Sequence, residues 1–290
     1  MEVITCISEM RQRVDQWRQA GQKIGLVPTM GNLHSGHTKL VDHARQSCDR
    51  IVVSIFVNPL QFGANEDYST YPRTLDADQE KLSSKSVDVI FAPGVKELYP
   101  TGIPLSTQIS IPTLSNMLCG EKRPGHFEGM LMVVTKLFNI VQPHVATFGK
   151  KDYQQLKLVE QLVCDLSLPV TIIAVDTERE SDGLARSSRN SYLSESERQR
   201  ASALANLLDC AASSIIDGGQ DYLTALGMLR HHLDLAGFDV DYVSLRKQSD
   251  LAEARDGDTH LVLLAAAKLG NARLIDNREI EISQGLRLRR

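Results

Sequence analysis

The chain is 290 residues long, 42% hydrophobic and 23% charged, which places it in the globular range with apolar material for one large or two modest cores. A formal charge of -4 supplies no basic footprint for a phosphate backbone, so nucleic acid is not an expected partner, although a local basic cluster can still take a small anion. No run reaches the roughly 20 apolar residues that span a bilayer, the opening MEVITCISEMRQRVDQW lacks the apolar stretch of a signal peptide, and Cys6, Cys48, Cys119, Cys164 and Cys210 are too dispersed for a disulfide framework. The expectation is a cytoplasmic protein with reduced thiols and no membrane partner.

In chain order, Ile24 to Val27 reads as a strand, about Thr38 to Cys48 as an amphipathic helix, and Ile51 to Asn58 as a second strand. A charged helical stretch from about Arg73 to Lys85 then leads into Val87 to Ala92, which Pro93 and Gly94 close, so the βαβ unit repeats. Met130 to Val141 reads as helix, Val145 to Phe148 as strand, Gln154 to Leu166 as helix and Pro169 to Val175 as strand. This alternation predicts an α/β fold, a Rossmann-like parallel sheet covered by helices over residues 1–176. The polar segment after Asp176 marks a domain junction. Beyond it, helices at Ala201 to Ile216 and Tyr222 to Leu235 and strands at Val240 to Leu245, Leu261 to Lys268 and Ala272 to Ile275 predict a smaller α+β domain over 177–290. The tail Arg287 to Arg290 reads as a frayed, solvated end.

The segment from Val27 to Leu40, VPTMGNLHSGHTKL, carries the most chemistry. An apolar strand ends at Pro28, a glycine-bearing turn follows, and a helix opens with His34 and His37 in its first turn. Such a turn points backbone N–H groups and a positive helix end at an anion in front of the sheet, and phosphate is the natural guest. Two imidazoles add donors, and Gly36 between them leaves room for a base or ribose. A zinc reading of the pair lacks a third ligand nearby, and Ser35 and Gly36 are not the glutamate of an HExxH helix. By itself HxGH also fits two solvated or core-satisfied histidines.

Six ordered pieces carry the reading further: TMGNLHSGH, SIFVNPLQFGANEDYSTYPRTLDAD, RPGHFEG, KLFNIVQP, FGKKDYQQL and DGLARSSRNSYL. From about Val27 to Leu193 they resemble the pantothenate synthetase family of the nucleotidylyltransferase superfamily, in which an HxGH element and a later basic, serine-rich loop grip ATP. LLAAAKLGNARLIDN is similar to that family's C-terminal strands. The resemblance implies an adenylate-forming ligase that activates (R)-pantoate with ATP and Mg2+, releases pyrophosphate, and transfers the pantoyl group to β-alanine with loss of AMP. It also implies a homodimer.

For the ATP site the resemblance implies Met30, Gly31, Asn32, Leu33, His34, Ser35, Gly36 and His37, then Gly149, Lys150, Lys151 and Asp152, then Glu178, Arg186, Ser187, Ser188 and Arg189. His34, His37, Lys151, Ser187 and Arg189 are the implied catalytic groups, with His37 assisting departure of pyrophosphate and the 177–290 domain closing as a lid. Gln61, Gln155 and Met30, with Phe62, form the implied pantoate pocket, whose neutral amides orient the attacking carboxylate without quenching it. Asp152 is a candidate for magnesium or the ribose. Asp76 and Asp78 are weaker magnesium candidates, because carboxylates two apart on a helix point in different directions. Lys150, Glu178 and Arg186 depart from the residue types usual in the family. His126 reads as a site-wall or helix-start residue, His231 and His232 as a solvated helix face, and His43, His144 and His260 as structural. Two rivals stay open: a nucleotidylyltransferase acting on a phosphorylated alcohol, which the glutamine segments argue against, and a silent nucleotide-binding module.

Overall fold

Six short strands in the first 176 residues all pair in parallel. The computed structural model describes residues 1–64, 66–105, 107–218, 221–283 and 285–286, and the tail from Arg287 lies outside them. The chain divides into two units, the first comprising Met1–Lys150 and Leu158–Asp176, the second Lys151–Lys157 and Thr177–Arg290.

In unit 1 the elements are β1 (Glu2–Ile4), α1 (Ile7–Gln19), β2 (Ile24–Thr29), α2 (Ser35–Arg45), β3 (Arg50–Ile55), α3 (Leu75–Ser83) and β4 (Val89–Phe91). Three single turns follow, α4 (Val95–Leu98), α5 (Pro112–Ser115) and α6 (Cys119–Lys122), then α7 (His126–Val141) and β5 (Val145–Gly149). Helix α8 (Tyr153–Asp165), whose first five residues belong to unit 2, and strand β6 (Thr171–Val175) complete the order. The sheet runs β1-β4-β3-β2-β5-β6. Val27, Val53 and Ile90 line one face and pack with Leu40, Val41 and Ala44 of α2 and Leu82 of α3. Gly25 leaves that face open to its neighbours: a Cβ there would sit 2.9 Å from Ile51 Cδ1 and 3.2 Å from Cys48 Sγ, and those side chains would have to shift. The chain moves outward from β2 to β3 and β4 on one side, while β5 and β6 lie on the other. The β2/β5 seam is therefore the topological switch point, and open α/β sheets bind ligands outside the carboxyl ends of their strands there.

Unit 2 holds an antiparallel sheet of β7 (Asp239–Lys247), β8 (His260–Leu269) and β9 (Ala272–Glu281), with α9 (Glu195–Ala201), α10 (Ala203–Ile216) and α11 (Tyr222–Leu235). Leu204, Leu208 and Ile215 of α10 and Leu229 and Leu233 of α11 share a core with Leu261, Leu263, Ala265 and Ala267 of β8.

Several elements differ from the sequence reading. β1 and α1 were not expected, yet Met10, Val14 and Trp17 bury at i, i+4 and i+7, the spacing of a helix stripe. The helix expected from Ala201 starts at Ala203 as α10, and a separate helix, α9, precedes it. Its forerunner α9 starts at a capping box, where Ser194 and Glu197 exchange side-chain and backbone hydrogen bonds. Strand β9 runs on past Ile275, because its buried polar residues Asp276 and Asn277 are hydrogen-bonded.

Candidate active site

The turn after β2 sits at the carboxyl end of the sheet. Thr29 Oγ1 donates to Ser54 C=O at 2.7 Å and accepts from Gly31 N–H at 3.2 Å. Gly31 turns the chain with φ +83°, and a Cβ there would lie 3.0 Å from Ile55 Cγ2. His34 is the N-cap of α2: its Nδ1 accepts from Gly36 N–H at 3.1 Å, while His34 N–H donates to His37 Nδ1 at 3.2 Å. The two rings lie 4.1 Å apart, centroid to centroid. Because both Nδ1 atoms accept from the backbone, each neutral imidazole carries its proton on Nε2 and acts there as a donor.

Most amides of this turn are engaged within the fold. Asn32 and Leu33 N–H groups donate to the Asp78 carboxylate at 2.9 and 2.7 Å, and His37 N–H donates to His34 C=O at 2.9 Å. Among residues 31–37, only Ser35 N–H is not drawn into the turn or onto α3 by these bonds. With these amides engaged, what the turn can offer an anion is the imidazole Nε2–H groups and the positive end of α2, rather than a cradle of loop amides.

Met30 and Gln61 meet beside this turn, Gln61 Nε2 donating to Met30 Sδ at 3.2 Å. Gln61 is buried in a one-turn 3-10 helix, Pro59–Gln61, capped by the side chain of Asn58. The fully buried Asn58 donates to Gln61 Oε1 at 3.1 Å and to Gly129 C=O at 3.0 Å, and accepts from Tyr99 OH at 2.8 Å. Burial pushes the Tyr99 hydroxyl well above the ordinary tyrosine range, so it remains a donor. Below the turn, His126 Nδ1 donates to Gln61 C=O at 2.7 Å, and Arg123 Nη1 donates to His126 Nε2 at 2.9 Å. Arg123 also grips Glu66 with two bonds of 2.6 Å. Burial would raise the Glu66 carboxyl, but the hydrogen bond and charge of Arg123 hold it below its usual value. His126 thus supports the Gln61 turn through the backbone.

Gly149 ends β5, next to the switch point, and Lys150 follows it. Lys150 Nζ pairs with Asp176 at 3.0 Å, and that hydrogen bond and charge depress the Asp176 carboxyl. Unit 2 begins with Lys151. There, residues 178–186 fold into a small hairpin: Arg179 bridges Ala185, Arg186 N–H donates to Glu178 C=O at 2.9 Å, and Gly183 takes φ +90° at the bend. The hairpin delivers Ser187 as the N-cap of a 3-10 turn, Ser188–Tyr192, with Ser187 Oγ accepting from Arg189 N–H at 3.3 Å. Arg186 is drawn back to Glu180 at 2.9 Å. Lys151 and Ser187 line one small pocket with Asn190 and Asp276, and Asn277 Nδ2 donates to Lys151 C=O at 3.1 Å. Asp152 is half-exposed beside Lys151, 3.7 Å from its ammonium, and Gln155 lies partly exposed in the first turn of α8.

The sequence reading missed three supports of the site. Asp78, entertained as a magnesium contact, is buried and faces loop amides. Lys81 Nζ donates to Leu33 C=O at 2.7 Å. Asp276 is a buried carboxylate held by both Arg179 nitrogens. For Asp78 and Lys81, a signal was present: acid and base stand three apart on one helix face. Among the described residues no group of three or more His, Cys, Asp or Glu side chains is placed to hold a metal ion, and no helix is long and apolar enough to cross a membrane.

The family model described as Pantoate-beta-alanine ligase matches residues 2–279. Similar curated proteins include pantothenate synthetase of Shewanella loihica, 51% identical over 95% of this chain and 97% of its own length, and that of Azotobacter vinelandii, 50% identical over 98% and 100%. Among solved structures, pantothenate synthetase from Thermus thermophilus superimposes with a TM-score of 0.90 at 40% identity, covering 97% of this chain and 100% of its own. A pantoate-beta-alanine ligase from Francisella tularensis, complexed with beta-gamma ATP and beta-alanine, matches with a TM-score of 0.82 at 36% identity over 96% and 97%. This chain belongs to the pantoate-beta-alanine ligase family.

Proposed function

We infer that the chain condenses (R)-pantoate with β-alanine at the expense of ATP, through a pantoyl adenylate. The observation that carries the reading is the pair of Nε2–H donors at the carboxyl end of β2, in a chain that belongs to this ligase family throughout residues 2–279. In the first step a pantoate carboxylate oxygen bonds to the α-phosphorus and the bond to the bridging oxygen breaks, so pyrophosphate leaves with that electron pair. Negative charge grows on the departing oxygen and the equatorial oxygens. Donors fixed there stabilise the transition state more than the ground state. His34 and His37 supply them, with His37 nearer the leaving group in this assignment.

In the second step the neutral amine of β-alanine adds to the acyl carbon, AMP departs, and the amine releases a proton. Adenylation matters because oxide is a prohibitive leaving group and AMP a good one. Gln61, its amide locked by Asn58 and Met30, and Gln155 orient pantoate as neutral partners. Lys151, Ser187 and Arg189 are assigned to the phosphates from unit 2, which acts as the lid, and magnesium comes in with ATP as the MgATP substrate. The proposed assembly is a homodimer in the cytoplasm, supported by the family resemblance and tested by sedimentation of the purified protein and fractionation of cells.

The deciding experiment follows pyrophosphate from MgATP with pantoate alone and then with β-alanine. Release that requires pantoate, and turns over repeatedly only when β-alanine is added with AMP appearing in step, establishes the two-step ligase. No release under either condition overturns it.

A further inference from the structure

The histidine turn is held from a neighbouring helix. Asp78 on α3 is 0% exposed, its Oδ2 accepting from Asn32 N–H at 2.9 Å and from Thr74 Oγ1 at 3.2 Å, its Oδ1 from Leu33 N–H at 2.7 Å. One turn further along α3, Lys81 Nζ donates to Leu33 C=O at 2.7 Å. Leu33 is therefore gripped on both its N–H and its C=O by residues three apart on one helix face, and its side chain is buried in the sheet core. His34 is the next residue. Gly31 closes the other side, where a Cβ would approach Asp78 Oδ2 to 3.1 Å.

A carboxylate suits this position for a definite reason. Two adjacent amides each need an acceptor, and a carboxylate offers two oxygens while a primary amide offers one and turns a donor at the other.

We propose that Asp78 and Lys81 are positioning residues for adenylate formation. They fix residues 32–33, so that His34 caps α2, both Nδ1 atoms are engaged within the turn, and both Nε2–H groups are presented to the phosphates. The proposal rests on the reading that the two histidines act on ATP. Neither Asp78 nor Lys81 is assigned a contact with a substrate.

The test uses the full-length enzyme with Asp78→Asn, Lys81→Met and Lys81→Arg, measuring the maximal rate of pantoate-dependent pyrophosphate release, both KM values and the nitrogen resonances of the histidine side chains. The expected result is a loss of rate of roughly tenfold or more in Asp78→Asn and Lys81→Met, as a displaced donor produces. The pantoate KM stays within about twofold of its starting value, Lys81→Arg recovers most of the rate, and the signals of His34 and His37 leave the fixed Nε2–H form. If Asp78→Asn does not fold, Lys81→Met against Lys81→Arg carries the test. A full rate with unaltered histidine signals in Lys81→Met overturns the proposal, as does an equal loss in the two lysine variants. His37→Ala separates the two ideas: an undiminished rate there removes the histidines from the chemistry, whereas the resonances of the Lys81 variants still decide the clamp.

Discussion

Asn58 Nδ2 donates to Gln61 Oε1 at 3.1 Å, and this bond makes the orientation of the Gln61 amide a property of the fold. With Tyr99 OH and Leu60 N–H both on Asn58 Oδ1, the Asn58 amide has a single assignment. Gln61 is in turn set with its oxygen toward Asn58 and its NH2 toward Met30.

Replacing Gln61 by Glu keeps the shape of the side chain but puts a negative charge where the pantoate carboxylate is assigned. Like charges brought together cost several kcal/mol. The pantoate KM rises roughly 10- to 100-fold while the ATP KM changes by less than about threefold. Steady-state kinetics with each substrate varied in turn checks this, and equal rises in both would detach Gln61 from pantoate.

Gly129 of α7 lies against the same turn. A Cβ there would stand 2.2 Å from Leu60 C=O and 2.7 Å from Gln61 N, and both obstacles are backbone. Gly129→Ala therefore displaces the turn at a cost of about 1–3 kcal/mol, the range for overpacking. Thermal melting reads the loss, and the pantoate KM rises with it. An unshifted melting temperature would mean that α7 slides to accommodate a methyl group.

Much of this was legible in the sequence, and the gaps have physical causes. The HxGH turn, the strand before it and the helix after it are local, and their residue types announce themselves. α1 was legible too, since Met10, Val14 and Trp17 mark its buried stripe. The supports of the site were not legible in the same way. Asp78 reaches residues 32 and 33 across more than 40 positions, and Asp276 meets Arg179 across 97. Spacing along a chain cannot reveal such pairs, and a buried carboxylate in a polar sequence looks like a solvated one. The tautomers of His34 and His37 likewise depend on which backbone amides reach Nδ1, which only the folded turn decides.

His144 ties the ends of three strands together. Its Nδ1 accepts from Ile24 N–H at 3.0 Å, its N–H donates to Ile24 C=O, and its C=O accepts from Thr171 N–H. Burial lowers its pKa from the ordinary 6.5, and the charges of Arg18 and Lys23 act in the same direction. A neutral histidine in the fold means that the unfolded chain binds the proton first as pH falls. Its stabilising contribution is complete above pH 6.5 and is lost as pH drops from there toward the folded value. Melting temperature against pH should show this decline, and His144→Asn should flatten it. Glu66 contributes to a second decline, below pH 4.5, alongside the likewise depressed Asp176, Asp182 and Glu197: its carboxyl contributes fully above that value and loses its contribution as pH falls through the folded pKa.

In unit 2 a buried ion pair joins the hairpin to the sheet. Both Arg179 nitrogens donate to the Asp276 carboxylate, at 2.7 and 2.9 Å, and that side chain is 2% exposed. Arg278 Nη1 adds a bond of 3.2 Å, and Asn277 N–H one of 2.8 Å. Removing one partner of a buried pair leaves a charge in a poorly solvated place, whereas removing both is often neutral. Because Arg278 stays on the Asp276 carboxylate, Arg179→Met should destabilise the protein by about 1.5–3 kcal/mol, the scale of lost hydrogen bonds to a charge, and Arg179→Met combined with Asp276→Leu should recover part of the loss. Denaturant unfolding of the three proteins gives the values. Because Asn277 also holds the Lys151 carbonyl, the single variant should raise the ATP KM, and addition of ATP should restore part of its stability. A single variant as stable as the parent would show that the hairpin is held by its own backbone bonds, from Arg186 to Glu178 and from Glu180 to Leu184, and not by the ion pair.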